Sequence, residues 1–148
     1  VSTAKAPRIK QHLHSVHTLK TSTIEAEALT GLEAKTRPQL QEVAAQLHAA
    51  GVERVFVTRG SQGVFYSTGD GQGTMKLDQE SRVVDNAGGA GDAFLAGLVY
   101  GWLDNQGLET TLHFALTAAD LTLSAAATST PALSLTAINQ ALEARDVN

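Results

Sequence analysis

Apolar residues recur three and four positions apart in several stretches of the chain, a spacing that predicts amphipathic helices. The first predicted helix runs from Ala6 to Val16, with Pro7 in its first turn. Another begins at Thr36 and Pro38 and is closed by Gly51. The remaining predicted helices cover residues 23–30, a segment that starts at Ala93, residues 109–127, and a last helix that Ser134 can cap.

Short apolar or β-branched runs between these helices predict strands over residues 17–20, 55–57, 64–67, 74–77 and 82–84. The run Val55-Phe56-Val57 is typical of a strand that is buried on both faces. Helices that alternate with strands at this spacing predict an α/β fold in which helices cover a parallel or mixed sheet.

A run of small residues joins the last predicted strand to the helix that follows it, namely Asn86-Ala87-Gly88-Gly89-Ala90-Gly91-Asp92-Ala93-Phe94. The first N–H groups of a helix lack intrahelical partners and carry the positive end of the helix dipole, so they can hold a phosphate. Asp92 does not suit phosphate binding, and two roles are open to it. Its carboxylate can stabilise the helix N-terminus, or it can act as a general base beside the bound phosphate.

Residues 86–99 resemble the C-terminal signature of the PfkB (ribokinase-like) carbohydrate kinases. Gly89, Ala90, Gly91 and Asp92 fall in register with the Gly-Ala-Gly-Asp turn of that signature, whereas Ala87 and Gly88 stand where the family commonly has a hydroxylic residue. The resemblance implies that Asp92 is the catalytic base. It also implies that the N–H groups of Gly89, Ala90, Gly91 and Asp92 form the anion hole, which contacts the nucleotide as well.

The decapeptide from Ser22 to Gly31 resembles a second motif of the same family, Asn-x-x-Glu followed by Ala-Glu and Thr-Gly. From composition alone, this segment is a solvated acidic turn at the start of a helix that Thr23 caps and Gly31 ends. The resemblance instead implies that Glu25 helps to hold the hydrated magnesium ion around the nucleotide phosphates. Ser22 occupies the position of the family's Asn, and we assign it to the nucleotide site.

The segment from Thr58 to Gly63 follows a buried strand, at the end where open α/β sheets bind ligands. It can equally be a tight hairpin turn into the next strand. It is similar to the family's Thr-x-Gly-x-x-Gly loop, which implies nucleotide contacts for Thr58, Gly60, Ser61 and Gly63. The resemblance also places a region over residues 125–130 near the adenine and a monovalent cation such as K⁺.

A second glycine-rich run, Gly69 to Gly73, does not lead into a helical pattern, so it is interpreted as a turn between strands. The chain contains no Walker A sequence with its Lys-Ser/Thr pair, which argues against a P-loop NTPase. His12, His14 and His17 are interpreted as surface residues near a helix end, since no carboxylate or cysteine completes a set of ligands.

Composition narrows these interpretations further. The chain has 148 residues, of which 43% are hydrophobic, enough for one α/β domain with a sizeable core. Its net charge of −4 does not favour nucleic acid as a partner. The absence of cysteine suits a reducing cytoplasm, and no apolar stretch resembles a membrane span or a signal peptide.

The resemblance implies a three-layer α/β/α ribokinase-like fold and ATP- and Mg²⁺-dependent phosphorylation of a sugar or nucleoside hydroxyl. Within the family, residues 1–20 and Asn86 look most like the pseudouridine kinases. A kinase for ribose, a fructose derivative or 2-keto-3-deoxygluconate is the alternative, as is a non-catalytic nucleotide-binding domain. We expect the chain to be the C-terminal part of one kinase domain, inactive without its N-terminal half and lid, and the full-length protein to be a possible homodimer.

Overall fold

The computed structural model describes residues 5–77, 88–123 and 133–146. It divides into two compact units, which are called here the first unit (residues 1–76) and the second unit (residues 77–148). Several sequence predictions fall outside the described residues: the strand over 82–84, the signature residues Asn86 and Ala87, and the region over 125–130.

The described part of the first unit contains two 3₁₀ helices, two α-helices and four strands. The first 3₁₀ helix, Ala6–Ser15, takes the place of the predicted helix over 6–16. The elements that follow are β1 (Thr18–Ser22), α1 (Thr23–Thr30), α2 (Arg37–Ala49), β2 (Arg54–Thr58), β3 (Val64–Thr68) and β4 (Gly71–Met75). The second 3₁₀ helix, Gly60–Gln62, lies between β2 and β3.

The four strands form one mixed sheet in the order β1-β2-β3-β4. Strand β1 pairs with β2 in parallel, and β2 with β3 and β3 with β4 are antiparallel pairs. The parallel register sets Ser22 opposite Thr58, the last residue of each strand. Of the two predicted alternatives, a parallel or a mixed sheet, the structure has the mixed one, and the carboxyl ends of its two parallel strands lie side by side.

The core of the first unit lies between the helices and one face of the sheet. Val55 and Val57 point into this core together with Leu40, Val43 and Leu47 of α2. Phe56, whose side chain points to the opposite face, is also fully buried. The prediction of a strand buried on both faces is confirmed.

The glycine-rich run after β3 is only partly a turn. Gly69 and Asp70 join β3 to β4, but Gly71 and Gly73 already belong to β4, so the predicted turn over 69–73 was too long. Position 73 of this strand is crowded, because a Cβ added to Gly73 would lie 2.7 Å from the Tyr66 hydroxyl oxygen on β3. The hairpin geometry is not that of a phosphate-binding loop at the start of a helix.

The second unit contains three helices, α3 (Ala90–Leu103), α4 (Leu108–Leu123) and α5 (Leu135–Asp146). Helices α3 and α4 approach closely at Gly97, where a Cβ would lie 2.6 Å from the Ala115 Cα. Arg145 attaches α5 to α4 through a 2.8 Å ion pair with the largely buried Asp120. Among the described helices, none is long and apolar enough to cross a membrane.

Candidate active site

The N-terminus of α3 carries the glycine turn predicted from the sequence. Gly89 is the N-cap residue and has φ 82°, in the left-handed region that glycine enters without a steric penalty. This conformation turns the backbone sharply at the start of α3. The N–H groups of Gly89, Ala90 and Gly91 have no hydrogen-bond partner within the described part of the chain.

The N–H group of Asp92, the fourth in the predicted anion hole, is already hydrogen-bonded within the helix. The Asp92 N–H donates to the Gly89 carbonyl oxygen at 3.0 Å, and the Ala93 N–H donates to the same oxygen at 2.9 Å. The left-handed Gly89 turns its carbonyl toward the first helical turn, so the helix itself occupies this donor. Of the four N–H groups predicted to form the anion hole, those of Gly89, Ala90 and Gly91 therefore remain available, whereas that of Asp92 is engaged within the helix.

The Asp92 side chain is exposed at the third helical position. Within the described residues its carboxylate has no hydrogen bond or ion pair. Asp92 is not the N-cap residue, since Gly89 holds that position, although its charge still interacts favourably with the helix dipole. An unpaired carboxylate next to three free N–H groups can accept a proton from a group that is bound against the helix end.

In the first unit, Ser22 and Glu25 form a reciprocal cap on α1. The Glu25 N–H donates to the Ser22 Oγ at 3.3 Å, and the Ser22 N–H donates to the Glu25 Oε2 at 2.7 Å. The Ser22 hydroxyl also donates to Oε2 at 3.0 Å. Ser22 therefore caps the helix, and the assignment of the cap to Thr23 was wrong by one residue because Ser and Thr are both good N-caps.

These hydrogen bonds keep the Glu25 carboxylate charged. Partial burial raises the pKa of Glu25, but hydrogen bonds from the Ser22 backbone N–H and hydroxyl contribute to a net pKa below the ordinary value of 4.5. The carboxylate is half-buried rather than enclosed. It is therefore ionised at neutral pH and can accept hydrogen bonds from the water shell of a divalent cation.

We expect the lowered pKa of Glu25 to make folding stability depend on pH. Because the folded-state pKa lies below the unfolded value, the contribution is complete above about pH 4.5 and is lost as the pH falls through the folded pKa. Urea unfolding between pH 3 and 7 should therefore show a smaller acid loss in Glu25→Gln than in the wild type. Gln keeps a neutral capping box, so an identical acid loss in both proteins would contradict the assignment.

Thr58 lies beside this cap at the carboxyl end of β2, opposite Ser22 in the parallel register. Its hydroxyl donates to the Thr21 carbonyl oxygen at 3.2 Å, so it links the two strands. The pairing brings two sequence motifs, 36 positions apart in the chain, to the same edge of the sheet. This is the edge at which open α/β sheets bind ligands.

The loop after β2 is both a hairpin turn and a candidate binding loop. Gly60 has φ 57° and nothing within 4 Å of an added Cβ, so its backbone is open to an approaching ligand. Gly63 has φ 77°, and a Cβ there would lie 2.1 Å from the Met75 carbonyl oxygen. Gly63 is thus required by packing against β4. Ser61 is exposed between these two glycines.

The structure therefore divides the predicted site residues between the two units. Ser22, Glu25 and Thr58 meet at one edge of the first unit, together with the loop that contains Gly60 and Ser61. Asp92 and the three free N–H groups belong to the second unit. Sequence reasoning missed the contact of Gly63 with Met75, since no local pattern indicates which strand returns beside the loop.

Comparisons with known proteins show the family and the fold of the chain. The profile of the pfkB family carbohydrate kinases matches residues 1–135. Pseudouridine kinase of Escherichia coli K12 is 34% identical over 135 residues, which cover 91% of this chain and 43% of that protein. The crystal structure of a Clostridium perfringens protein designated a sugar kinase superposes with a TM-score of 0.90 at 31% identity, over 97% of this chain and 45% of the other. Arabidopsis thaliana ribokinase, solved with ribose and ATP, superposes with a TM-score of 0.82 at 26% identity, over 90% of this chain and 43% of the other.

The fold is thus the α/β fold of the ribokinase-like sugar kinases, as the sequence predicted. The chain belongs to the PfkB family of carbohydrate kinases. It spans less than half the length of the relatives that it matches.

Proposed function

We propose that the protein containing this chain transfers the γ-phosphoryl group of ATP to a hydroxyl group of a sugar or nucleoside. The observation that carries the proposal is the exposed carboxylate of Asp92, in the same helical turn as three N–H groups; neither the carboxylate nor these N–H groups have a partner among the described residues. A positive helix end attracts an anionic phosphate, and the adjacent carboxylate can accept the proton of an attacking alcohol.

In the proposed reaction, Asp92 takes the proton of the acceptor hydroxyl as its oxygen bonds to the γ-phosphorus. The bond between that phosphorus and the bridging oxygen of ADP breaks, and ADP leaves with the bond electrons. The N–H groups of Gly89, Ala90 and Gly91 hold the negative charge on the transferring group. These donors are fixed by the left-handed Gly89, so little reorganisation is needed during the reaction.

The residues at the sheet edge suit a nucleotide with a hydrated Mg²⁺ ion, which would neutralise charge on the phosphates when bound. Glu25 is ionised and held by its cap, so its carboxylate can accept hydrogen bonds from coordinated water. Gly60 offers an open backbone, and Ser61 offers an exposed hydroxyl. We assign Glu25 to the metal shell, and Ser22, Thr58, Gly60, Ser61 and Gly63 to the nucleotide-binding edge.

An exposed apolar stripe on α3 supports the proposal that another part of a kinase domain completes the acceptor site. Leu95, Val99 and Leu103 are 38%, 44% and 79% exposed and follow Asp92 at spacings of three and four residues. Such spacing puts all four on one helix face. The match covers 45% of the chain in that sugar kinase structure, so more than half of that chain lies outside the matched portion. We propose that this additional part packs on the stripe and brings the acceptor to Asp92.

The acceptor that we favour is pseudouridine, because pseudouridine kinase of E. coli matches 91% of this chain at 34% identity. We expect the intact protein to phosphorylate pseudouridine with a higher kcat/KM than ribose, fructose phosphates or 2-keto-3-deoxygluconate in an ADP-release assay. The 148-residue chain alone, as a control, should show no turnover. Higher kcat/KM with ribose would replace the acceptor assignment, and ATP binding without turnover of any acceptor would favour a non-catalytic nucleotide-binding domain.

A further inference from the structure

The Thr21 hydroxyl, on the edge strand β1, is buried without a hydrogen-bond partner. The residue is 3% exposed, and its Oγ1 finds no partner among the described residues. Its backbone carbonyl is satisfied by the Thr58 hydroxyl, so only the side chain is left without a partner. A buried hydroxyl without a hydrogen bond is costly, which is why such groups are usually paired with protein atoms or with ordered water.

A small cavity lies next to this hydroxyl. It has a volume of about 10 Å³ and is lined by Thr21, Glu25 and Lys20, and by apolar side chains from the first 3₁₀ helix, β1 and α1. This volume is close to the space that one water molecule needs and is too small for a larger ligand. Thr21 and Glu25, which both line the cavity, carry a hydroxyl that can donate and a carboxylate that can accept a hydrogen bond.

We propose that this cavity holds one buried water molecule, which accepts a hydrogen bond from the Thr21 hydroxyl and donates one to the Glu25 carboxylate. The donor order follows from the groups present. A carboxylate can only accept, the hydroxyl can donate, and water does both. An empty apolar cavity of this size would stay dry, but two polar partners make hydration favourable.

This water would attach Glu25 to the strand that precedes its helix. The Ser22 N–H and hydroxyl hold the carboxylate from within the cap, both at Oε2. A bridge through Thr21 would add a third contact from the end of β1 to the two that Ser22 makes. Thr21 would then be a positioning residue for Glu25. The hydration site does not depend on phosphoryl transfer.

The test compares Thr21→Val, which keeps the shape and removes the hydroxyl, with Thr21→Ser, which keeps the hydroxyl and removes the methyl group. Crystal structures of the intact variants should show the water in Thr21→Ser and not in Thr21→Val. We also expect Thr21→Val to lower Tm by about 2 to 4 °C. An unchanged or raised Tm in Thr21→Val would overturn the proposal, because removing an unpaired hydroxyl from a dry cavity removes only an energetic cost.

A crystal structure of the wild-type protein at a resolution that shows ordered water gives a second test that no variant can compromise. Density for one water within hydrogen-bond distance of the Thr21 Oγ1 and the Glu25 carboxylate would support the site. An empty cavity would refute it, as would a Thr21 hydroxyl bonded directly to a protein atom. All these readouts are independent of kinase activity, so failure of the proposed function would leave them unaffected.

Discussion

Replacing Asp92 by Asn should lower kcat of the intact kinase by about 10²- to 10⁴-fold, the usual contribution of a general base. Asn keeps the size of the side chain but cannot accept the proton of the acceptor hydroxyl. KM for ATP should change by no more than about threefold, because the N–H groups that contact the phosphate are backbone groups. Steady-state kinetics with saturating acceptor, together with a thermal melt to verify folding, would measure the effect.

Asp104→Asn is the matched control for this experiment. Asp104 is exposed at the opposite end of α3, where its carboxylate accepts a hydrogen bond from the Gln106 side chain at 3.0 Å. The same change of charge on the same helix should leave kcat close to the wild-type value. If Asp92→Asn and Asp104→Asn had equal activities, Asp92 would not be the base, and the capping interpretation alone would remain.

Gly63→Ala should destabilise the protein by about 3–5 kcal/mol, the largest effect on stability that we expect from a single methyl group. Gly63 has φ 77° and ψ −136°, a backbone conformation that is essentially restricted to glycine. In addition, the new Cβ would lie 2.1 Å from the Met75 carbonyl oxygen, so β4 would have to move. Urea unfolding monitored by circular dichroism gives the change in the free energy of unfolding.

Gly60→Ala separates the role of conformation from that of packing in the same loop. Gly60 also has a positive φ, of 57°, but a Cβ there meets no atom within 4 Å. Gly60→Ala should therefore lower the free energy of unfolding by only about 1–2 kcal/mol, the strain of an alanine in the left-handed conformation. If nucleotide contacts were the main reason for both glycines, the two variants would have similar stabilities and would differ from the wild type chiefly in KM for ATP.

Much of the candidate site could be predicted from the sequence because its motifs are local. The bend at Gly89, the start of α1 near Thr23 and its stop at Gly31 each depend on a few consecutive residues, and the structure has all three. The error at Thr23 arose because two adjacent residues have similar capping preferences. Only the coordinates show that the Gly89 carbonyl accepts a hydrogen bond from the Asp92 N–H, which occupies one of the four N–H groups of the predicted anion hole.

The sequence by itself determined the α/β class, the positions of most helices and strands and the resemblance to the family, because periodicity and glycine-dependent turns are fixed by neighbouring residues. That the sheet is mixed rather than parallel was decided by the structure. Only the tertiary structure decided that Gly63 is constrained by β4 and that Ser22 lies beside Thr58. It alone revealed the buried Thr21 hydroxyl and the pairing of Asp120 with Arg145. These features depend on which distant segments pack together, and local propensity carries no information about that packing.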